Sequence, residues 1–402
     1  MTSTQLLGQH RGPLGDERLP WDDPAFELDP YPWYARVQAE SPVFVDERGV
    51  FVVTKYEDVM TFGKQPSMSV EPGWAQAGPW AVARETMIGR DNPDHTRLRR
   101  QTNKWFTPKL VQNWVTTTTA VTNELLDAVQ GDTIDGWHDL AVVPTHRTMC
   151  RVLQLPSDAA HQVKAAMERT MPMLSARPRL GALEDAGRAF DSLTAHLSEL
   201  MEPKRREPGD GLADMLLEAA GRGDMSLEEA YATILMLYTL GHMDVGYLVA
   251  AGFLVFTQRP DVFRDYRDRP ELRDAIVNEI VRFDPPELSF YRTATQDLTI
   301  RGVDIPAGST IRYMIGAANR DPDYFDDPQT FDHHRPMEHS RNLSFGVGLH
   351  SCAGQVISRA EARAIFETVA ARFSAIELAE PVVMDNTDFS RHFKKLSLRL
   401  IP

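Results

Sequence analysis

The chain of 402 residues is long enough to bury one large core or two ordinary ones, and its 42% hydrophobic and 25% charged residues are typical of a globular protein. A formal net charge of −14 argues against nucleic acid as the main partner, because binding to phosphates requires a basic surface. The sequence contains two cysteines, Cys150 and Cys352, so a disulfide framework and a four-thiolate zinc site are excluded. We therefore expect a cytoplasmic protein without a signal peptide or a membrane anchor.

Strand and helix signals alternate over the first hundred residues, where residues 43–46 and 50–54 predict a β-hairpin. The pattern is then almost entirely helical from residue 94 to residue 258. Further strands are predicted at residues 298–300, 310–313 and 396–401. Because no repeat or linker interrupts the sequence, we expect a single domain over residues 1–402, mainly α with smaller β regions.

A long apolar helix is predicted to begin after Ser226, which forms a capping box with Glu229. The apolar residues continue on every side of the helix until shortly before Pro260, as in a helix that is buried in a large core or crosses a membrane. His242 and Asp244 lie at its centre, where contact with lipid would cost several kcal/mol. A buried central helix with a functional polar midpoint is therefore the better interpretation.

A glycine-rich loop of sequence FGVGLHSCAG spans residues 345–354 and precedes a helical pattern at residues 355–373. The loop places Cys352 at a predicted helix N-terminus, where free N–H groups and the helix dipole favour a thiolate. A thiolate is the form in which cysteine binds haem iron. Taken alone, the loop also allows a buried structural cysteine or a nucleophile beside His350.

At each defining position (Phe, Gly, Gly, His, Cys and Gly) this loop resembles the haem-binding loop of the cytochromes P-450. The resemblance implies that Cys352 is the proximal iron ligand, that Phe345 packs near its sulfur and that His350 binds a haem propionate. Gly354 completes the pattern and belongs to the same cofactor-binding loop. The implied structure is the cytochrome P-450 fold, with haem b between a long central distal helix and the helix that follows the cysteine loop.

The resemblance extends over nearly the whole chain. Glu279 and Arg282 look like the buried Glu-x-x-Arg pair of the family, with Arg335 as the third member of a structural triad. In isolation, the same spacing would predict an ordinary surface ion pair. The positions that match the propionate ligands of the family are His95, Arg99 and Arg292.

The sequence departs from the family on the distal helix. Gly241, which follows Leu240, is expected to leave room for oxygen and to permit a local distortion of the helix. Met243, however, occupies the position of the usual acid, and Asp244 occupies that of the usual threonine. The residues leave three interpretations open. In the first, Asp244 is itself the proton relay, and in the second a polar group of the substrate completes the water network. In the third, the enzyme performs peroxide-driven or radical coupling chemistry.

Glu287 stands where the family usually has an apolar residue that faces the substrate. Together with Asp244 it predicts an acidic pocket, suited to a basic nitrogen or to a multiply hydroxylated substrate. The alternative is that Glu287 points into a loop and pairs with an arginine. His392 replaces the usual glycine of the C-terminal loop. The other residues expected to line the pocket are Trp74, Trp80, Met87, Met171, Leu240, Leu288, Phe290 and Phe389.

The resemblance implies a haem-thiolate monooxygenase that uses O2 and external electrons to hydroxylate or demethylate a small organic molecule, in natural-product biosynthesis or catabolism. The alternatives are oxidative coupling or peroxide-driven chemistry and, more remotely, a non-catalytic haem sensor. Because the sequence has no flavin motif, we expect NAD(P)H to supply electrons through ferredoxin reductase and ferredoxin. The substrate is either free or tethered to a carrier protein.

A basic patch is predicted on the proximal face, where it would steer an acidic electron donor. The alternative is that these side chains are only solvated helix faces. The residues of this predicted patch are Arg97, Arg100, Lys104, Lys109, Arg359 and Arg363.

Overall fold

Helices surround one long central helix and are flanked by small sheets in a computed structural model that describes residues 18–71, 79–103, 105, 107–178, 180–336 and 339–402. The α-helices of these ranges are α1 (Pro24–Leu28), α2 (Tyr31–Glu40), α3 (Tyr56–Phe62), α4 (Pro79–Arg84), α5 (Asp94–Asn103), α6 (Pro108–Ala128), α7 (Val143–Leu153), α8 (Ala160–Thr170), α9 (Ala182–Arg206), α10 (Leu212–Gly221), α11 (Leu227–Gln258), α12 (Pro260–Asp268), α13 (Arg273–Phe283), α14 (Ile315–Ala318) and α15 (Gln355–Arg372). Short 3-10 or π turns occupy His138–Val142, Met171–Leu174, Pro270–Leu272 and Gly348–His350.

The strands form four sheets. They are β1 (Val43–Val45), β2 (Phe51–Val53), β3 (Met68–Ser69), β4 (Thr133–Asp135), β5 (Phe290–Ala294), β6 (Leu298–Ile300), β7 (Val303–Ile305), β8 (Thr310–Tyr313), β9 (Ala375–Leu378), β10 (Val383–Met384), β11 (Phe393–Lys395) and β12 (Ser397–Ile401). The largest sheet has the order β1-β2-β8-β5-β3, and the other three are β4-β12-β9, β6-β7 and β10-β11. The predicted hairpin is present, because β1 and β2 pair antiparallel with Val43 opposite Val53.

Helix α11 begins where the capping box predicted. The Ser226 hydroxyl accepts a hydrogen bond from the backbone N–H of Glu229 at 3.0 Å, and the Glu229 carboxylate accepts one from the N–H of Ser226 at 2.7 Å. The helix is long and apolar enough to span a membrane, but 72% of its most apolar window is buried inside the protein. It packs against α7, α10 and α15, so its apolar surface belongs to the main core.

Helix α13 and the loop before the cysteine are joined by a buried ion-pair network. Arg282 donates two hydrogen bonds to Glu279, at 2.6 and 2.7 Å, and both side chains are at most 2% exposed. Arg335 places its Nε 3.7 Å from the same carboxylate. The triad suggested by the sequence therefore meets in the core, whereas the alternative of a solvated surface pair is wrong.

The C-terminal loop is attached to the N-terminal helices through a second buried network. Arg391 donates to the Asp284 carboxylate at 3.1 Å and to the backbone carbonyl of Leu28 at 3.0 Å. The hydroxyls of Tyr31 and Tyr247 donate to the same carboxylate at 2.7 and 2.6 Å. Asp284 therefore fixes the end of α13, the central helix α11 and both terminal regions relative to one another.

Candidate functional site

The cysteine loop is folded tightly against the main chain. The backbone N–H of Cys352 donates to the carbonyl of Phe345 at 2.7 Å, which closes the loop. Gly346 and Gly348 have φ values of 69° and 70°, in the left-handed region that favours glycine. A Cβ on Gly348 would also lie 2.6 Å from the Cβ of Lys64. These glycines are therefore required by the turn that presents Cys352.

The thiol of Cys352 is not predisposed to ionise in the way the sequence predicted. Helix α15 begins at Gln355, three residues later, so Cys352 precedes the helix instead of capping it. The Cys352 side chain is accessible to solvent, yet desolvation by the surrounding protein raises its pKa. The carboxylates of Asp244 and Glu287 raise it further, against the lowering effects of the Gly354 backbone N–H and Arg99. An iron ion is a larger charge than any of these groups and would deprotonate a coordinating thiol.

Imidazole and guanidinium groups gather beside the cysteine loop. His95 is 1% exposed, and neither ring nitrogen has a hydrogen-bond partner among the described residues. Its ring centroid lies 4.3 Å from that of His350, whose Nε2 is 3.7 Å from Asp91 and also has no hydrogen bond there. Arg99 reaches the same loop, because its Nη1 donates to the carbonyl of Ser351 at 3.0 Å.

A second guanidinium lies on strand β5. Arg292 donates one hydrogen bond, to the carbonyl of Tyr291 at 2.7 Å, and burial lowers the pKa of its guanidinium to about 10. Buried donors without acceptors are costly, and two carboxylates at this place would satisfy them. The group formed by His95, Arg99, Arg292 and His350 therefore fits the propionates of a haem whose iron is bound by Cys352.

Two carboxylates lie close enough to Cys352 to influence its charge, and neither has a partner within the described ranges. Burial raises the pKa of Asp244 on α11 to about 6. Burial and then the charge of Asp244 raise the pKa of Glu287 to about 8. No described side chain forms an ion pair or hydrogen bond with either carboxylate, while the nearby Arg391 is paired with Asp284. Among the residues that the structure describes, no arginine pairs with Glu287.

The structure shows which side chain lies beside Gly241. A Cβ on Gly241 would lie 2.8 Å from the Cε of Met149, so this glycine makes room for a side chain of α7. Helix α11 is continuous through this position, without the expected distortion. Met243 is 3% exposed and packs in the main core, and Leu240 is half-buried against the same core. Among residues 240–244 of the distal helix, Asp244 is therefore the polar group that influences Glu287.

Three of the predicted pocket positions pack elsewhere. Leu288 is 0% exposed and lies against Gly316. Phe290 stacks on Tyr313 at 5.1 Å, in the core beneath the large sheet. His392 is buried near Trp137 and Tyr247, with centroid distances of 6.4 and 6.5 Å.

The remaining predicted pocket residues are spread over several elements. Trp74 lies outside the described residues. Trp80 is half-buried on α4, and Met171 is buried in the 3-10 turn after α8. Met87 is buried and accepts a hydrogen bond from a threonine hydroxyl through its sulfur at 3.4 Å. Phe389 lies beside Glu287, since the next residue along forms a β-bridge with that glutamate.

A buried cluster between α7 and α11 was missed in the sequence. The ring centroids of His146 and His242 are 4.8 Å apart, and the Nε2 of His146 lies 3.4 Å from the sulfur of Cys150. Tyr238 packs on His146 and hydrogen-bonds to His196 at 3.1 Å. Burial raises the pKa of Cys150 to about 12, so this thiol is unreactive. Nothing in the spacing along two separate helices indicates that these side chains meet.

The predicted basic patch is partly neutralised. Arg97 is bound by Glu229 at 2.6 Å, and Arg363 is bound by Asp274 at 2.7 Å. Arg359 lies over the ring of Phe345 at 4.2 Å, and Lys104 lies outside the described residues. The cations of the patch that are exposed, with no acidic partner in the described chain, are Arg100 and Lys109.

The chain is similar in sequence and in fold to known proteins. Residues 254–400 match the family model described as Cytochrome P450. The chain is 31% identical to the vitamin D(3) 25-hydroxylase of Pseudonocardia autotrophica over 84% of this chain and 85% of that protein. It is 29% identical to the nocardicin C N-oxygenase of Nocardia uniformis subsp. tsuyamanensis, over 90% and 92% of the two chains. The solved structure of P450BioI in complex with a hexadecenoic acid-ligated acyl carrier protein superposes with a TM-score of 0.86 at 26% identity, covering 94% of this chain and 100% of the other.

Proposed function

The chain belongs to the cytochrome P450 family and is a haem monooxygenase of the bacterial type, and on this basis we propose that Cys352 binds the haem iron. We also propose that the substrate carries a basic nitrogen. The second proposal is supported by Asp244 and Glu287, two carboxyl groups near Cys352 that have no partner in the part of the chain that the structure describes. Haem held by a thiolate activates dioxygen for insertion into a nearby bond. The residues of the chain then have three tasks: to hold the haem, to move protons and to position the substrate.

The haem is held by groups that otherwise have unused hydrogen-bonding capacity. His95, His350, Arg99 and Arg292 supply imidazole and guanidinium donors to the two propionates. A carboxylate buried beside charged donors forms hydrogen bonds about twice as strong as neutral ones. The tight turn around Cys352 presents the sulfur, and the Glu279 network holds the loop that precedes it.

Asp244 is the group that we assign to proton transfer. Its pKa of about 6 lies near ambient pH, so the carboxyl both holds and releases a proton at its Oδ atoms. The buried thioether of Met243 cannot do this, although it occupies the position of the usual acid. The alternative of oxidative coupling predicts a product that contains no oxygen from labelled O2, whereas insertion predicts one labelled atom.

The substrate is selected by charge. Asp244 and Glu287 have no partner among the described residues, and desolvation together with their mutual charge disfavours their ionised forms. A protonated amine stabilises those ionised forms, so it binds more strongly than a neutral molecule of the same shape. Removal of one partner from a desolvated, hydrogen-bonded charge pair typically costs about 2–5 kcal/mol, because the other charge is left unpaired. The similarity to an N-oxygenase is consistent with a nitrogen in the pocket.

The test is a spin-state titration of the ferric holoenzyme with matched pairs of compounds, each amine beside its N-acetyl derivative. We expect an absorption shift that is selective for the amine, and at least tenfold weaker amine binding in Glu287→Gln. Glu199→Gln, at an exposed position on α9, is the matched control and should bind like the wild type. Equal affinity for amine and amide, or an unchanged amine affinity in Glu287→Gln, would contradict a basic substrate while leaving the haem assignment intact.

Electron donors and substrate carriers are proposed on coarser grounds. Arg100 and Lys109 form the exposed part of the basic patch, which suits an acidic ferredoxin supplied with electrons from NAD(P)H by a ferredoxin reductase in the cytoplasm. The similarity to a P450 solved with an acyl carrier protein makes a tethered substrate the alternative to a free one. The same amine pairs, offered free or attached to a carrier, would distinguish these two cases.

A further inference from the structure

Three side chains that could bind a metal meet at the surface, outside the haem site. Asp265 on α12 accepts a contact from the Nε2 of His333 at 2.9 Å, and the Nε2 of His334 lies 3.8 Å from the same oxygen. These three atoms all lie within 4.8 Å of one another. Two imidazole nitrogens therefore converge on one carboxylate oxygen.

The loop that carries the two histidines is fixed by the buried triad. The backbone N–H of Asp332 donates to Glu279 at 2.9 Å, and Arg335 lies 3.7 Å from the same carboxylate. The side chain of His333 is 5% exposed, whereas that of His334 is 52% exposed. Because the backbone on both sides of the histidines is held, a bound ion would cost little further ordering of the chain.

An ordinary hydrogen bond accounts for only part of this geometry. His333 alone satisfies Asp265 at 2.9 Å, and 3.8 Å is too long for a hydrogen bond from His334. Nevertheless the exposed ring of His334 lies over that of His333, with centroids 4.1 Å apart and planes at 38°, and directs its Nε2 to the same place. In a tetrahedral site with bonds of about 2.0–2.2 Å the ligand atoms are about 3.4 Å apart. The two separations from Asp265 would each change by about half an ångström, and the two imidazole nitrogens, at most 4.8 Å apart, would approach each other by up to about 1.4 Å.

We propose that Asp265, His333 and His334 bind a divalent transition-metal ion of the zinc class, with water completing the coordination. Two imidazoles and one carboxylate suit Zn²⁺, Ni²⁺ or Cu²⁺, whereas Mg²⁺ and Ca²⁺ require oxygen ligands. The ion links α12 to the loop that contributes Arg335 to the triad. It therefore stabilises the folded protein on the side of the core that supports the cysteine loop, independently of the substrate.

The experiment uses tag-free holoenzyme that has been treated with a chelator and then dialysed. Titration with Zn²⁺, followed by calorimetry and by elemental analysis, should show one zinc per chain in addition to the haem iron, and Mg²⁺ should not compete. At about a hundredfold excess over Kd, the unfolding midpoint should rise by about 3 °C, because only the folded chain holds the three ligands together.

His334→Ala is the main variant, because the exposed ring can be removed without opening the core. It should bind zinc at least tenfold more weakly, while its Soret spectrum remains that of the wild type. His339→Ala removes another exposed histidine five residues away and should bind zinc normally. Asp265→Asn should also lose the site. The absence of stoichiometric zinc in the wild type, or equal binding in His334→Ala, would overturn the proposal.

Discussion

Replacing the buried carboxyl of Glu361 by the amide of glutamine should raise the unfolding temperature relative to that of the wild type, by an amount that increases with pH. Glu361 on α15 is 1% exposed, and its nearest polar contact is the Thr118 hydroxyl at 3.4 Å. Burial raises the pKa of Glu361 from 4.5 to about 8, against a small lowering effect of that hydroxyl. The folded protein therefore keeps this carboxyl protonated at neutral pH.

The sign of the pH dependence follows from this shift. A folded-state pKa above the unfolded value contributes stability that is complete below about pH 4.5 and is lost as the pH rises through about 8. Between pH 5 and pH 7 the wild type should lose about 2.7 kcal/mol relative to a variant that cannot ionise, at about 1.36 kcal/mol per unit of pH. With an unfolding entropy of about 2.1 cal/mol/K per residue, the 402 residues convert this difference into about 3 °C.

The assay is thermal unfolding of the holoenzyme, wild type and Glu361→Gln, at several values between pH 5 and pH 8. A difference in unfolding temperature that is the same at every pH reflects the additional amide donor of glutamine. A difference that changes with pH reflects the proton held by the buried carboxyl. Glu199→Gln, at an exposed site on α9, should show no such change. A difference between wild type and Glu361→Gln that stays within 1 °C over this range would refute the reasoning.

Two further predictions concern the buried histidine cluster and the basic patch. Burial lowers the pKa of His146 to about 4, so its contribution to the stability of the folded protein is complete above pH 6.5 and decreases as the pH falls. The unfolding temperature of His146→Gln should therefore depend less on pH between pH 7 and pH 5 than that of the wild type. An equal dependence in both proteins would contradict this prediction. Reversing the exposed charges of Arg100 and Lys109 to glutamate should slow electron transfer from an acidic ferredoxin at least tenfold at low salt, as measured by stopped-flow reduction. A rate that changes less than twofold would exclude this surface, and Arg363→Glu is the comparison, since that arginine is already paired.

Local signals in the sequence predicted the parts of the structure that are determined locally. The capping box of Ser226 and Glu229 gives the first residue of α11, and the glycine pattern gives the turn that presents Cys352. The Glu279–Arg282 pair was identified by resemblance, because its spacing alone would equally fit a surface bridge. The amino-acid sequence by itself is therefore sufficient to infer the family and its haem.

Contacts between distant segments could not be predicted in this way. Gly241 was assigned to oxygen, but the side chain that uses its space is Met149, about ninety positions earlier in the chain. Leu288, which precedes β5, lies against Gly316, whose backbone N–H donates to its carbonyl at 3.0 Å. The absence of an arginine beside Glu287, on which the proposed substrate class depends, is likewise a property of the assembled chain within its described residues.

The bonds of Arg391 also bear on the order in which the protein is made. This residue reaches back 363 positions to Leu28 and closes the network around Asp284, so the network is incomplete until residue 391 has left the ribosome. Phe389, beside Glu287, belongs to the same late segment. A nascent chain that has already exposed Cys352 would therefore still have an unfinished wall above it. Stable capture of the haem should thus follow the end of synthesis, when the first helices and the last loop have met.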